Sequence, residues 1–298
     1  MQRVFEYCKK HDVKYIRNLK LSKISPVGIG GVAQAVLFPS SETQLVSLLE
    51  FLAEENIERK IIGRMTNLLF SDREHETVII STLNVNHYSI SDGLVLAECG
   101  VMLPSLIRRL APLGLGGLEA LSGIPGTVGA TVRGNGGAFG MEIGNALVYL
   151  KVYSQKLGDI YYLGSSDMKF GYRRSILSNT DDVILGCALA FSKKEPESVR
   201  SDILRFSDMR RKKQPIGAPS LGSTFKMCSG ESTAKLLDMA GLKGYRIGGM
   251  QISEKHAGFF TNIGGARFSD YVLLIDHASE TLFKSFGVRP ELEIEIIN

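Results

Sequence analysis

"GIPGTVGATVRGNGGAFG", residues 123–140, places glycine at seven of eighteen positions, with one charge, Arg133, and one proline, Pro125. Lacking Cβ, glycine reaches positive φ and lets backbone amides crowd against a partner. Successive exposed N–H groups form a concave site of the kind that takes a phosphate or pyrophosphate. Tight turns and close strand crossings ask for the same residue. The density of glycine here, ending in "GNGGAFG", makes ligand contact the expectation. An earlier stretch, "GIGGVA" at 28–33, formally satisfies the dinucleotide fingerprint GxGxxG/A, but its context does not. The fingerprint needs a strand before it, a helix starting on it and an acidic residue closing the next strand about 20 residues on. Here Pro26 precedes it, "QAVLFP" after it reads as a strand, and Glu50 and Glu54 fall in a helix. A Rossmann domain is rejected; Gly30 stays a candidate for a turn near a cofactor, a plain turn being equally open.

The rest of the composition narrows the class. Of 298 residues, 44% are hydrophobic and 22% charged, and no apolar run approaches the roughly 18 residues of a membrane span. The N-terminal "MQRVFEYCKKHDVKY" lacks the apolar core of a secretory signal. Cys8, Cys99, Cys187 and Cys228 form no CxxC, so reduced, mostly buried thiols are expected. "RRKKQP" at 210–215 is the only dense basic run, and without interleaved aromatics it does not point to nucleic acid. No histidine, cysteine and carboxylate cluster has metal-ligand spacing. The expectation is a cytoplasmic monomer without membrane or nucleic-acid partners and without a metal.

Hydrophobic periodicity divides the chain into regions 1–80, 81–194 and 195–298. In the first, Val32 to Phe38 reads as a strand ended by Pro39, and Ser41 with Gln44 resembles a capping box for a helix through Glu54. "RKIIG" and "ETVIIST" read as further strands. The second region is largely β, with "GLVLAECG", "LVYLKVYSQ", "GDIYYLG" and "DDVILGCALAF" around one helix near Leu103 to Leu113. The third expects helices over 196–213, 231–240 and 269–286 and a closing strand, "ELEIEII". The class is α+β, without the strand-helix alternation of a doubly wound sheet.

Five motifs, "GIPGTVGATVRGNGGAFG", "FGYRRS", "RRKKQPIGAPSLGSTFK", "AGLKGYRIGGMQISEKHAGFFTN" and "RPELEI", stand in one order along the chain. Together they resemble the UDP-N-acetylenolpyruvoylglucosamine reductases, flavoenzymes of peptidoglycan synthesis, in their short form. The resemblance implies an FAD-binding two-subdomain fold of the vanillyl-alcohol-oxidase/PCMH type, followed by a C-terminal α+β substrate domain. It implies FAD as cofactor, NADPH as hydride donor and a UDP-sugar as substrate. Cofactor contacts are then expected from Gly30, Gly63, Thr66, Asn67, Leu68, Gly123, Ile124, Pro125, Gly126, Thr127, Gly129, Asn135 and Gly137. The loop "GRMTNLLFSD" at 63–72 departs from the family's usual GGGSN type, with Arg64 and Met65 where small residues are typical. Catalytic roles fall to Arg173, Ser223 and Glu291, and substrate contacts to Tyr172, Gln214, Lys226, Ser253, His256 and Asn262.

The reaction that the resemblance implies reduces an enolpyruvyl double bond. Charge then develops toward a carboxylate and needs preorganised donors. The guanidinium of Arg173 suits that place, since it presents a planar pair of donors and keeps its proton. Ser223 is the candidate general acid. Glu291 helps only when protonated, which burial beside an anion favours. An FAD enzyme on the same fold that oxidises an alcohol or hydroxy acid is the alternative.

Overall fold

The computed structural model describes residues 1–228 and 230–298. They pack into two compact units, the first from residues 1–17, 34–64 and 76–208, the second from 18–33, 65–75 and 209–298. The regions expected from sequence run consecutively, whereas each unit collects three separate pieces of chain. Core membership follows side-chain packing: Val27, Ile29 and Leu69 join Phe260 and Tyr271 in the second core, far from them in sequence.

The first unit holds two sheets on one core. In the parallel one, the strand Val78–Ser81 lies between Val32–Phe38 and Arg59–Ile62, with Val36 opposite Ile79 and Ile61 opposite Ile80. All four residues of Val78–Ser81 are buried, as the unbroken apolar run of a central parallel strand requires. The helix Glu42–Glu54 starts where its cap predicts, Ser41 Oγ accepting the Gln44 N–H at 3.2 Å. It buries Leu45, Leu48, Leu49 and Leu52, a single stripe at helical spacing. The second sheet is antiparallel, in the order Asp159–Gly164, Leu147–Ser154, Val183–Ala190, Leu94–Glu98, Tyr88–Ser91. Leu150, Cys187 and Ala97 face one another across three of its strands. The short helix Val128–Arg133, from the glycine-rich stretch, packs on this sheet.

In the second unit the antiparallel order is Ser220–Ser223, Phe259–Asn262, Met250–Ile252, Arg246–Ile247. The helices Thr233–Met239 and Phe268–Phe286 contribute to the same core, which contains Leu237, Met250, Ile252, Phe260, Tyr271, Leu274 and Ala278. The closing strand is shorter than "ELEIEII" suggests. Only Glu295–Ile297 is extended in a ladder, parallel to Leu68–Phe70, while Leu292 forms an isolated bridge with Phe225.

One buried polar contact joins helix to sheet. Tyr271, fully buried, places its hydroxyl 3.1 Å from that of Thr224, also fully buried, next to Ser223. Burial raises the Tyr271 phenol above its ordinary value, so the hydroxyl stays protonated. Removing one partner strands the other in a dry site. Tyr271→Phe is expected to lower the unfolding free energy by about 1–2 kcal/mol, and adding Thr224→Val to recover most of it, as read by urea denaturation.

Candidate active site

Gly63 and Thr127, from two of the expected cofactor loops, meet inside the first unit. A Cβ built on Gly63 would lie 2.8 Å from Thr127 Oγ1, so bare backbone is required there. Thr127 is buried and caps the helix Val128–Arg133, its Oγ1 accepting the Ala130 N–H at 3.3 Å. Gly129 sits against another strand end: its Cβ would come within 2.8 Å of Cys99 Cβ and 3.0 Å of Cys99 O. Several glycines of 123–140 therefore serve close packing of the chain on itself, while Gly123, Pro125, Ala130, Phe139 and Gly140 are exposed. In the 63–67 run, the N–H groups of Arg64, Met65, Thr66 and Asn67 have no backbone acceptor among the described residues. Met65 is buried and held at φ +57, a left-handed conformation unusual for a residue with a side chain, while Arg64 is exposed. Neither loop, 63–67 or 123–130, contains a carboxylate. N–H donors without a backbone acceptor, on loops that carry no carboxylate of their own, are what a pyrophosphate takes, so the residues present fit FAD.

Asn135 departs from the expected cofactor contact. It is completely buried, at φ +44, and its side chain bonds to the protein in three directions. Nδ2 donates to Glu142 Oε2 at 2.6 Å and to Gly171 O at 3.1 Å, and Oδ1 accepts the Gly144 N–H at 3.2 Å. A buried amide bonded in this way serves the fold. Gly171 opens a tight turn closed by two bonds with Arg174, at 3.0 and 3.1 Å, which leaves Tyr172 and Arg173 at its tip. Arg173 has φ +53, and its Nη1 donates to Gly137 O at 3.3 Å. Tyr172 is exposed, with its ring 5.3 Å from the Arg173 guanidinium carbon. Strain of this kind at a positive φ concentrates at functional sites.

The second unit holds the other two catalytic candidates. Ser220 pairs with Thr261 and Ser223 with Phe259, so one extra residue is inserted between them. Gly222, at φ +78, absorbs this bulge, a device that re-aims the neighbouring side chain. Beyond Ser223 the chain runs beside the "RPELEI" segment, with Lys226 N donating to Glu291 O and Glu293 N to Thr224 O, both at 2.9 Å. Lys226 Nζ lies 3.0 Å from Glu291 Oε2, and the Glu291 side chain is 79% exposed. The burial required for a protonated Glu291 is thus not what the structure shows. A segment ending in a short strand leaves this carboxylate at the rim of the sheet.

The remaining candidates are mostly engaged in local architecture. Gly30, at φ +138, would press a Cβ to within 2.9 Å of Leu21, which makes it a packing position. Asn67 donates from Nδ2 to Glu293 O at 2.8 Å. Ser253 Oγ accepts the N–H groups of Lys255 and His256, at 3.2 and 3.4 Å, and closes a turn. His256 Nδ1 accepts the Gly258 N–H at 3.2 Å, which leaves the ring proton on Nε2. Burial, and secondarily the Lys243 cation, holds this ring below the ordinary histidine value and hence neutral. Asn262 ties Val27 O to the sheet through Nδ2 at 2.8 Å. Gln214, half-buried after the helix Pro196–Lys213, accepts from Arg210 Nη1 at 3.3 Å. Arg133, Glu142 and Ser175 were not singled out by sequence reasoning. Ser175 Oγ donates to Arg133 O at 2.6 Å across 42 positions, a separation at which no local pattern carries a signal.

Comparison with known proteins agrees with this geometry. Residues 33–163 match the family "FAD binding domain", and residues 214–297 match "UDP-N-acetylenolpyruvoylglucosamine reductase, C-terminal domain". The UDP-N-acetylenolpyruvoylglucosamine reductase of Caldicellulosiruptor bescii is 39% identical over 98% of this chain and 93% of its own. That of Pediococcus pentosaceus is 34% identical over 96% of this chain and 95% of its own. The crystal structure of UDP-N-acetylenolpyruvylglucosamine reductase (MurB) from Thermus caldophilus superposes with a TM-score of 0.81 at 28% identity, covering 96% of this chain and 99% of that one. Glucooligosaccharide oxidase from Acremonium strictum, 10% identical with a TM-score of 0.51 over 97% of this chain and 60% of that one, shares the fold alone. With glycine-rich loops suited to a pyrophosphate, a re-aimed serine and relatives matching nearly end to end, the chain belongs to the UDP-N-acetylenolpyruvoylglucosamine reductase family.

Proposed function

We propose that this chain reduces the enolpyruvyl group of UDP-N-acetylenolpyruvoylglucosamine to give UDP-N-acetylmuramate for peptidoglycan synthesis, with FAD as cofactor and NADPH as hydride donor. Family membership supports the reaction, and the observation that carries it is Arg173, a guanidinium held at positive φ on the tip of a tight turn. The alternative, oxidation of an alcohol or hydroxy acid, is set aside because the near-full-length relatives named above are reductases.

When bound, FAD would supply the hydride chemistry, with NADPH as the donor. The residues that hold it are the backbone of Gly63, Thr66, Asn67 and Leu68 and of Gly123, Ile124, Pro125, Gly126, Thr127 and Gly129, with Gly137 nearby in sequence. Residues 1–80 and 81–194 form the two FAD-binding subdomains, and 195–298 the substrate domain. Arg173 binds the enolpyruvyl carboxylate through two hydrogen bonds and stabilises the charge that develops there. Ser223 gives its hydroxyl proton to the carbon beside that carboxylate, aided by a neighbouring donor or water because a hydroxyl is a weak acid. Glu291 completes the catalytic set at the rim of the sheet, where the Lys226 ammonium that faces it is within reach of a substrate diphosphate. Tyr172 and Gln214 line the substrate, with Ser253, His256 and Asn262 shaping its surroundings. The protein acts as a monomer in the cytoplasm; no helix among the described residues is long and apolar enough to cross a membrane.

The test is a visible spectrum taken anaerobically before NADPH, after it, and after the enolpyruvyl substrate. Bleaching by NADPH and recovery with substrate is the expected sequence; a protein that neither carries nor takes up FAD refutes the proposal. Ser223→Ala is expected to leave bleaching intact and to slow recovery by roughly 10²–10⁴-fold, the usual contribution of a general acid. Equal slowing of both phases in a stopped-flow trace would remove Ser223 from that role. Arg173→Ala is expected to retain FAD and to slow recovery by at least about 10²-fold. Loss of FAD in that variant would place Arg173 at the cofactor instead.

A further inference from the structure

We infer that Asn135 is a positioning residue that sets Arg173 through the Gly171 carbonyl, an inference that rests on the reading of Arg173 given above. The Tyr172–Arg173 turn is short, and a residue with a side chain at φ +53 does not hold that conformation unaided. Its supports come from one run of chain, residues 133–137, on both sides of the tip. Before the tip, Asn135 Nδ2 reaches Gly171 O at 3.1 Å. At the tip, Gly137 O receives Arg173 Nη1 at 3.3 Å. After it, Arg133 O receives Ser175 Oγ at 2.6 Å and Ser178 Oγ at 3.3 Å. Arg133 also donates to Leu177 O and Asp182 O, and to Thr180 O at 3.1 Å, fastening the chain that leaves the turn.

Among these supports Asn135 also joins the turn to the segment 142–144. Its other Nδ2 bond goes to Glu142 and its Oδ1 takes the Gly144 N–H. Gly144 accommodates this, since a Cβ there would lie 2.9 Å from Asn135 Oδ1 and 2.7 Å from the Phe170 ring, one residue before Gly171. The arrangement asks for two donors and an acceptor in one plane on a short side chain, at a left-handed backbone position. Asparagine meets both demands, being a planar amide and tolerant of positive φ. Aspartate lacks the donors and would set a carboxylate against Glu142.

The variant to make is Asn135→Gly, which keeps the left-handed backbone and deletes all three side-chain bonds. FAD content and bleaching by NADPH are expected to be unchanged, and recovery with the enolpyruvyl substrate to slow by roughly 10²-fold, the usual effect of displacing a catalytic group by about 1 Å. Because Asn135 acts through Arg173, Asn135→Gly combined with Arg173→Ala should be no slower than Arg173→Ala alone. Recovery at the native rate in Asn135→Gly, or losses that multiply in the double variant, would overturn the inference while leaving the role of Arg173 in place. Native recovery in Arg173→Ala overturns both. Where Asn135→Gly fails to retain FAD, Asn135→Asp with Glu142→Gln preserves a bonded pair but offers Gly171 O no donor from position 135, and the same slowing of recovery alone is expected.

Discussion

A fully buried amide must find its hydrogen bonds within the protein, and the Arg173 side of the first unit is arranged around one. Asn135 draws together the runs at 142, 144 and 171, so the glycine-rich stretch and the Tyr172–Arg173 turn are parts of one network. Arg133 extends it to residues 177–182. The stretch thus works in two registers along its length. Its first part, with Gly63 against Thr127, leaves backbone available to a cofactor; its last part braces a guanidinium.

The second unit places its chemistry by a different constraint. There a bulge at Gly222 sets the direction of Ser223, and the buried Thr224–Tyr271 contact beside it anchors the same strand to the helix Phe268–Phe286. Lys226 and Glu291 stand further along, as an ion pair at a rim where the Glu291 side chain is exposed. An exposed ion pair contributes little to stability, so giving it up costs the fold little.

Much of the fold was legible because its signals are local. The helix Pro196–Lys213 and the strand Val32–Phe38 fall where periodicity and a following proline place them, and Ser41 caps its helix as the spacing to Gln44 predicts. The glycine count was legible as a need for bare backbone but not as its reason. Gly129 meets Cys99, thirty positions earlier, and Gly63 meets Thr127, sixty-four later; nothing in either neighbourhood tells a packing glycine from a ligand-facing one. The same limit applies to Asn135, whose type suited a cofactor contact until its partners were known. "ELEIEII" alternated like a full strand, yet only its last three residues join a ladder, the earlier ones running beside Thr224 to Lys226.

By itself, then, the sequence determined the α+β class, most of the elements and, through five motifs in register, the family and the residue types its chemistry uses. Those follow from interactions within a few residues or from patterns that survive in linear order. Only the tertiary structure decided that the pieces 18–33 and 65–75 pack with the C-terminal residues, that Asn135 faces inward, and that Glu291 is exposed beside Lys226. Burial and hydrogen-bond partnership are properties of the folded chain as a whole, fixed by groups tens to hundreds of positions apart, and no local stretch contains them.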